Sequence, residues 1–270
     1  MSHNFRHLFA ITALAAGTLF VTSCNTNKLV YPGSRMQLPD TACGYPENAI
    51  TIPAEDGTLL SGWFFNRGAN TPLVVMYGGN AMNVGSFANI AATDTERSYL
   101  LLNYRGYGSS AGTPSEKAIM ADARYSIRYA RAAMGNPAAP LYLVGFSLGS
   151  GVATQLATTE SPAGLVLVCP FDSMTSVACN VVPFFPRILP IDKWQSVRYA
   201  PLVSCPVTIM RANYDDVVPA NSTEKLIRAF RTPPAIQNYP ATHNNIFATA
   251  GFAAALRTAM PITEQCRFDF

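Results

Sequence analysis

A pentapeptide constrains this chain more than any other feature. Gly145-Phe146-Ser147-Leu148-Gly149 lies between the apolar run Leu141-Tyr142-Leu143-Val144 and a helix-compatible stretch, residues 150–158. A strand that passes into a helix through G-x-S-x-G must turn sharply. The turn demands small residues on both sides of the serine, and it lifts the hydroxyl above the edge of a sheet with the next amide, that of Leu148, pointing into the same space. The pattern alone is common by chance, so the flanking strand and helix carry the argument. The competing reading is that Gly145 and Gly149 serve only close packing.

The rest of the chain agrees with a sheet of that kind. Short apolar runs at 73–77, 99–104, 141–145, 165–169, 207–211 and 236–239 alternate with helix-like stretches, which predicts an α/β fold with a mostly parallel twisted sheet and helices on both faces. Two further runs, 49–53 and 59–66, flank Glu55-Asp56-Gly57 and read as an antiparallel hairpin. The clearest helix opens at Thr113-Pro114-Ser115-Glu116, where Thr113 is expected to cap, Pro114 to take the first position and Glu116 to reach back. Ile119, Ala123, Ile127, Ala130 and Met134 follow at helical spacing, and Gly135 ends it.

The N-terminus reads as an export signal. Arg6 and His7 precede an apolar stretch at 8–21 that falls short of the roughly 20 residues a membrane-spanning helix needs. Val21-Thr22-Ser23-Cys24 then resembles a bacterial lipobox, so residues 1–23 are expected to be a lipoprotein signal peptide and Cys24 the lipid-bearing first residue. Residues 24–48 are expected to form a tether and entry loop, and 49–270 a single α/β domain. Asn25 after the cysteine points to an outer membrane, with the protein lipid-anchored in the bacterial cell envelope on the periplasmic face. Net charge is only +3, and no Lys/Arg run could follow a phosphate backbone, so nucleic acid is not an expected partner. Such a compartment permits disulfides. Cys169 with Cys179 and Cys43 with Cys266 are the expected pairs, because Cys169 and Cys205 fall at opposite ends of neighbouring parallel strands. No CxxC and no His at ligand spacing is present, so neither a metal nor a cofactor is expected.

A serine hydroxyl is a weak nucleophile and needs a base, which in turn needs an orienting acid. The chain has three histidines, and His3 and His7 fall in the signal segment, which leaves His243, just after the last predicted strand. In chain order the acid should fall between serine and histidine. Asp215 and Asp216 follow the 207–211 strand, and Asp172 follows the 165–169 strand.

From about Ala49 onward the chain resembles the Bem46-like serine-hydrolase branch of the α/β-hydrolase superfamily. The resemblance rests on Asn103-Tyr104-Arg105-Gly106-Tyr107-Gly108-Ser109-Ser110, on Gly112-Thr113-Pro114-Ser115, on the 145–149 elbow, on Ala212-Asn213-Tyr214-Asp215-Asp216-Val217-Val218-Pro219 and on His243-Asn244. It implies the α/β-hydrolase fold, and matching the G-x-x-D-x-x-V-P segment puts the acid at Asp215. Two positions depart from the pattern: the family's His-Gly is here Gly78-Gly79-Asn80, and its Gly before the acid is Ala212. Oxyanion stabilisation uses backbone amides, so the change is tolerable, and the amides of Asn80 and Leu148 are the expected donors, with Gly79 allowing close approach.

Residues 171–203 read as a small cap insertion carrying Phe171, Met174, Phe184, Phe185 and Trp194, and an apolar cap wall predicts acyl substrates. The expected function is therefore hydrolysis of esters or thioesters of small to medium acyl groups, a small-molecule acyl substrate and, through the lipid, a membrane being the partners. An amidase or aminopeptidase with the same triad and a non-catalytic envelope lipoprotein are the alternatives.

Overall fold

The computed structural model describes residues 30–32, 44–181 and 191–262. Eight strands form one sheet: β1 (Ala49–Pro53), β2 (Leu59–Phe65), β3 (Leu73–Tyr77), β4 (Ser98–Leu102), β5 (Leu141–Phe146), β6 (Gly164–Val168), β7 (Val207–Ala212) and β8 (Ala235–Tyr239), in the spatial order β1-β2-β4-β3-β5-β6-β7-β8. β1 and β2 are the expected antiparallel hairpin, β2 is also antiparallel to β4, and every other neighbouring pair is parallel. The parallel strands are continuous apolar runs because both faces are covered.

Alternation along those strands sorts the core into two layers. Leu73, Val75, Leu141, Leu143, Leu165 and Leu167 face one layer, completed by the helices α2 (Glu116–Ala133), α3 (Leu148–Leu156) and α6 (Ala220–Ala229). Val74, Met76, Tyr142, Val144, Val166 and Val168 face the other, under α1 (Ala88–Ala92) and α7 (Phe252–Thr258). Two short helices, α4 (Met174–Val181) and α5 (Ser196–Tyr199), lie between β6 and β7 in the chain. Among the described residues no helix is long and apolar enough to cross a membrane.

Three expectations need correction. The N-cap of α2 is Ser115, not Thr113: Ser115 is extended (φ −154°) and its Oγ accepts the Ala118 N–H at 3.2 Å. Glu116 does not reach back, because its carboxylate is taken by Gln155 Nε2 at 2.6 Å and the Trp194 N–H at 3.1 Å, while Asp192 accepts the Glu116 N–H at 2.7 Å. Cys169, Cys179 and Cys205 are all free thiols, so the expected Cys169–Cys179 bond is not formed. Finally, Phe171 and Trp194 are fully buried in the main core, where a Cβ on Gly151 would touch both at 3.3–3.4 Å. They pack down onto α3 instead of walling a pocket. The signal segment, Cys24, Cys43, Cys266 and cap residues 182–190 lie outside the described residues.

Candidate active site

Ser147 sits where β5 becomes α3, at φ 50° and ψ −116°, a conformation an L-residue adopts only under constraint. The constraint is backbone contact on both sides. A Cβ on Gly145 would lie 2.2 Å from the Gly149 carbonyl oxygen, and one on Gly149 would lie 2.1 Å from the Tyr77 carbonyl oxygen. The packing reading and the elbow reading of these glycines are therefore one and the same. Among residues 141–150, Ser147 alone is partly exposed. Its own N–H donates to the Val168 carbonyl at 3.0 Å, which ties the turn to β6.

The loops after β7 and β8 are joined by backbone bonds. Asn213 N–H donates to the Tyr239 carbonyl at 2.8 Å and Tyr214 N–H to the Ala241 carbonyl at 3.0 Å. That pairing brings Asp215 to His243, whose Nδ1 stands 2.9 and 3.0 Å from the two carboxylate oxygens. With the carboxylate at Nδ1, the neutral ring carries its proton there and leaves Nε2 as an acceptor. The buried imidazole lies over the ring of Phe146, the residue before Ser147, at a centroid distance of 5.0 Å.

Asp215 is held from several sides. Its Oδ1 also accepts the amides of Val217 at 3.0 Å and Val218 at 2.7 Å. Burial opposes its ionisation, but the bond and charge of His243 and the two amides outweigh burial and keep the carboxyl below its ordinary range. The other two acids have different work. Asp216 is exposed and accepts the backbone N–H of His243 at 3.4 Å, positioning the loop. Asp172 is buried away from the histidine, accepting Ser222 Oγ at 2.6 Å and Lys225 Nζ at 2.8 Å.

Asn80 follows β3 on the other side of the elbow. A Cβ on Gly79 would lie 2.9 Å from the Phe146 ring and 3.4 Å from the Ser147 Cβ, so the loop can pass this close only as glycine. The Tyr-Arg-Gly-Tyr segment braces that loop. Tyr104 OH donates to the Gly78 carbonyl at 2.9 Å, Tyr107 OH to Asn80 Oδ1 at 2.7 Å, and Asn103 Oδ1 accepts the Val84 N–H at 3.0 Å. Arg105 anchors the brace through paired 2.6 Å bonds to Asp122 and another to Asp56. Asn80 Nδ2 donates in turn to the Val30 carbonyl at 2.6 Å, so the N-terminal segment joins the same assembly. Leu148 is the first residue of α3 and is buried.

Two features were not anticipated from sequence. A cavity of about 360 Å³ beside the elbow is lined on one side by Met82, Phe87, Phe146 and Phe247 and on the other by the polar Asn80, Asn83, Ser86 and Asn244, and among the described residues its wall comes from the β3 loop and the 244–247 segment. And Cys169, with no sequence spacing to suggest it, follows β6 and places its thiol beside Asp215 and His243. Burial, then the charge of Asp215, push that thiol well above its ordinary range.

A parallel sheet that delivers a strained serine, a carboxylate and an imidazole from the ends of β5, β7 and β8 is the architecture of the α/β hydrolases. The chain belongs to the α/β-hydrolase superfamily: residues 72–189 match the family model described as alpha/beta hydrolase fold. An uncharacterized Mycobacterium tuberculosis protein, Rv2307c, is 32% identical over 243 residues that span 87% of this chain and 86% of that protein. Lysophosphatidylserine lipase ABHD12 of Rattus norvegicus is 29% identical over 222 residues, 68% of this chain and 55% of that protein. Among solved structures, an α/β hydrolase from Vibrio vulnificus superposes with a TM-score of 0.65 at 19% identity, covering 78% of this chain and 80% of that one. The Pyrococcus furiosus esterase Pf2001 superposes with a TM-score of 0.64 at 13% identity, covering 78% and 90%. At these identities the structural likeness speaks for the fold alone.

Proposed function

We propose that the protein is a serine hydrolase of the Bem46-like branch that cleaves esters or thioesters of small to medium acyl groups through an acyl-enzyme. The observation that carries this reading is Ser147 held at positive φ on the elbow, one residue after Phe146, whose ring meets the imidazole of His243 at 5.0 Å, with Nδ1 of that imidazole committed to Asp215. Ser147 Oγ attacks the acyl carbon while His243 Nε2 takes its proton. The oxyanion forms against the amides of Asn80 and Leu148, and His243 returns the proton to the departing alcohol or thiol. Water then repeats the sequence on the acyl-enzyme. The hydrolase superfamily and a lipase among the relatives support the coarse class. The Met82, Phe87, Phe146 and Phe247 side of the 360 Å³ cavity supports the acyl group, since each buried methylene gains about 0.8 kcal/mol.

The test is a fluorophosphonate probe followed by a p-nitrophenyl ester series. The probe is expected to label the chain and to spare Ser147→Ala; an unlabelled wild-type protein would favour the non-catalytic envelope lipoprotein. Rates are expected to rise from the two-carbon to the six-carbon ester and to exceed those on an aminoacyl p-nitroanilide. A faster anilide moves the enzyme to the amidase reading.

Lipid on Cys24 and an outer-membrane, periplasmic address complete the proposal. Cys24→Ser is expected to shift the protein from the membrane fraction to the soluble one, since a lipid chain is the anchor in this reading. Continued detergent dependence of the variant would refute it.

A further inference from the structure

We propose that Cys169, Asp215 and His243 form a site for a soft divalent metal ion of the zinc or cadmium class, and that its occupation blocks the hydrolysis proposed above. The blocking half rests on that reading; the binding half does not. The thiol sulfur, a ring nitrogen and a carboxylate oxygen all lie within 4.8 Å of one another. A tetrahedral ion with bonds of about 2.0–2.3 Å holds its ligand atoms roughly 3.3–3.8 Å apart, so the cluster needs side-chain adjustments of about an ångström at its widest. The three residues follow the ends of adjacent strands β6, β7 and β8, and the backbone bonds between the β7 and β8 loops hold two of them in place. A cavity of about 230 Å³ lined by Cys169, Asp215, Asn213, Val218 and Thr223 opens beside the thiol and the carboxylate and leaves room for a water as fourth ligand, and Arg211 on its wall is paired with Glu224.

The donor set selects the ion. Thiolate with imidazole and one carboxylate suits zinc and cadmium, whereas magnesium and calcium take all-oxygen sites. Binding transfers no electrons. The thiol proton leaves to solvent, the ring proton moves from Nδ1 to Nε2, and the ion takes the freed Nδ1 lone pair. An Nε2 that already carries a proton cannot accept one from Ser147, so occupation and catalysis exclude each other.

The test is Cd²⁺ titrated into the purified chain, followed by the ultraviolet thiolate-to-cadmium band and by calorimetry, with Mg²⁺ as control. One Cd²⁺ per chain is expected, with the band, and ester hydrolysis should fall in step and return on chelation. Cys169→Ser should weaken binding by at least ~10-fold and remove the band, whereas Cys179→Ser and Cys205→Ser should keep both. Cys169→Ala serves as a second variant, with the same loss expected, should Cys169→Ser not fold. A band that persists without Cys169, or Mg²⁺ binding as tight as Cd²⁺, overturns the site. Cadmium that binds through Cys169 without slowing hydrolysis overturns the blocking. Because the band is read without substrate, a protein that binds Cd²⁺ through Cys169 but hydrolyses nothing overturns the proposed function and leaves the site standing.

Discussion

At Ser147 the backbone is strained because Gly145 and Gly149 let neighbouring carbonyls within reach of where a Cβ would be. Alanine at Gly149 would meet the Tyr77 carbonyl at 2.1 Å. We expect Gly149→Ala to cost more than about 4 kcal/mol, read as loss of soluble folded protein or a collapsed melting transition. The acids separate by role. Asp215→Asn is expected to lower kcat by roughly 10³–10⁴-fold by disturbing the histidine tautomer, with the melting temperature little changed. Asp172→Asn should do the reverse, lowering stability measurably and kcat little, since Asp172 serves Ser222 and Lys225. Burial works against both carboxylates, yet their hydrogen-bond partners keep both below the ordinary range. Their stabilisation is thus complete above the usual carboxylate pKa of about 3.9 and is lost as pH falls through the lower folded values. Urea midpoints measured from pH 7 to 3 should be flat at first and fall only at the acid end, less steeply in Asp172→Asn. Serine and histidine were legible because each stood at a strand end with few competitors. Cys169 was not, since its meeting with Asp215 depends on the order of β6 and β7 in the sheet, which no local spacing records.

The eight strands were readable from their apolar runs, with ends displaced by a residue or two in either direction because pairing, not the apolar pattern, sets where a strand stops. β4 illustrates why: after Leu102 the chain stays buried through Asn103 and Tyr104 but leaves the ladder to brace the β3 loop. The start of α2 was misread because Ser115 and Thr113 have equal chemistry as caps, and distant Asp192 and Trp194 decided between them. Phe171 and Trp194 were read as pocket wall for a related reason, as aromatic composition does not reveal whether a ring faces a pocket or the core. Trp194→Ala should therefore cost about 3–5 kcal/mol in stability and leave the ester chain-length preference unchanged. Phe247→Ala is the contrasting variant, expected to flatten the chain-length series while the protein stays folded. At the β3 loop, Tyr107→Phe deletes the bond to Asn80. A few-fold drop in kcat at unchanged KM is expected, with about 1 kcal/mol of stability lost.

On the scale of the whole molecule, the sheet gathers every part of the candidate site at its carboxyl edge: the β3 loop, the β5 elbow, and the residues after β6, β7 and β8. Such an edge is where open α/β sheets place their ligands. The bond from Asn80 to the Val30 carbonyl adds the N-terminal segment to that edge. Six peptide units separate Cys24 from Val30, and at no more than about 3.6 Å each they span at most ~22 Å whatever their conformation. With the proposed lipid on Cys24, the loop expected to bind the oxyanion can then never stand much farther than that from the bilayer surface. The enzyme would work at an interface, meeting acyl chains that have only partly left the membrane, at a local concentration set by the lipid phase and not by the surrounding fluid.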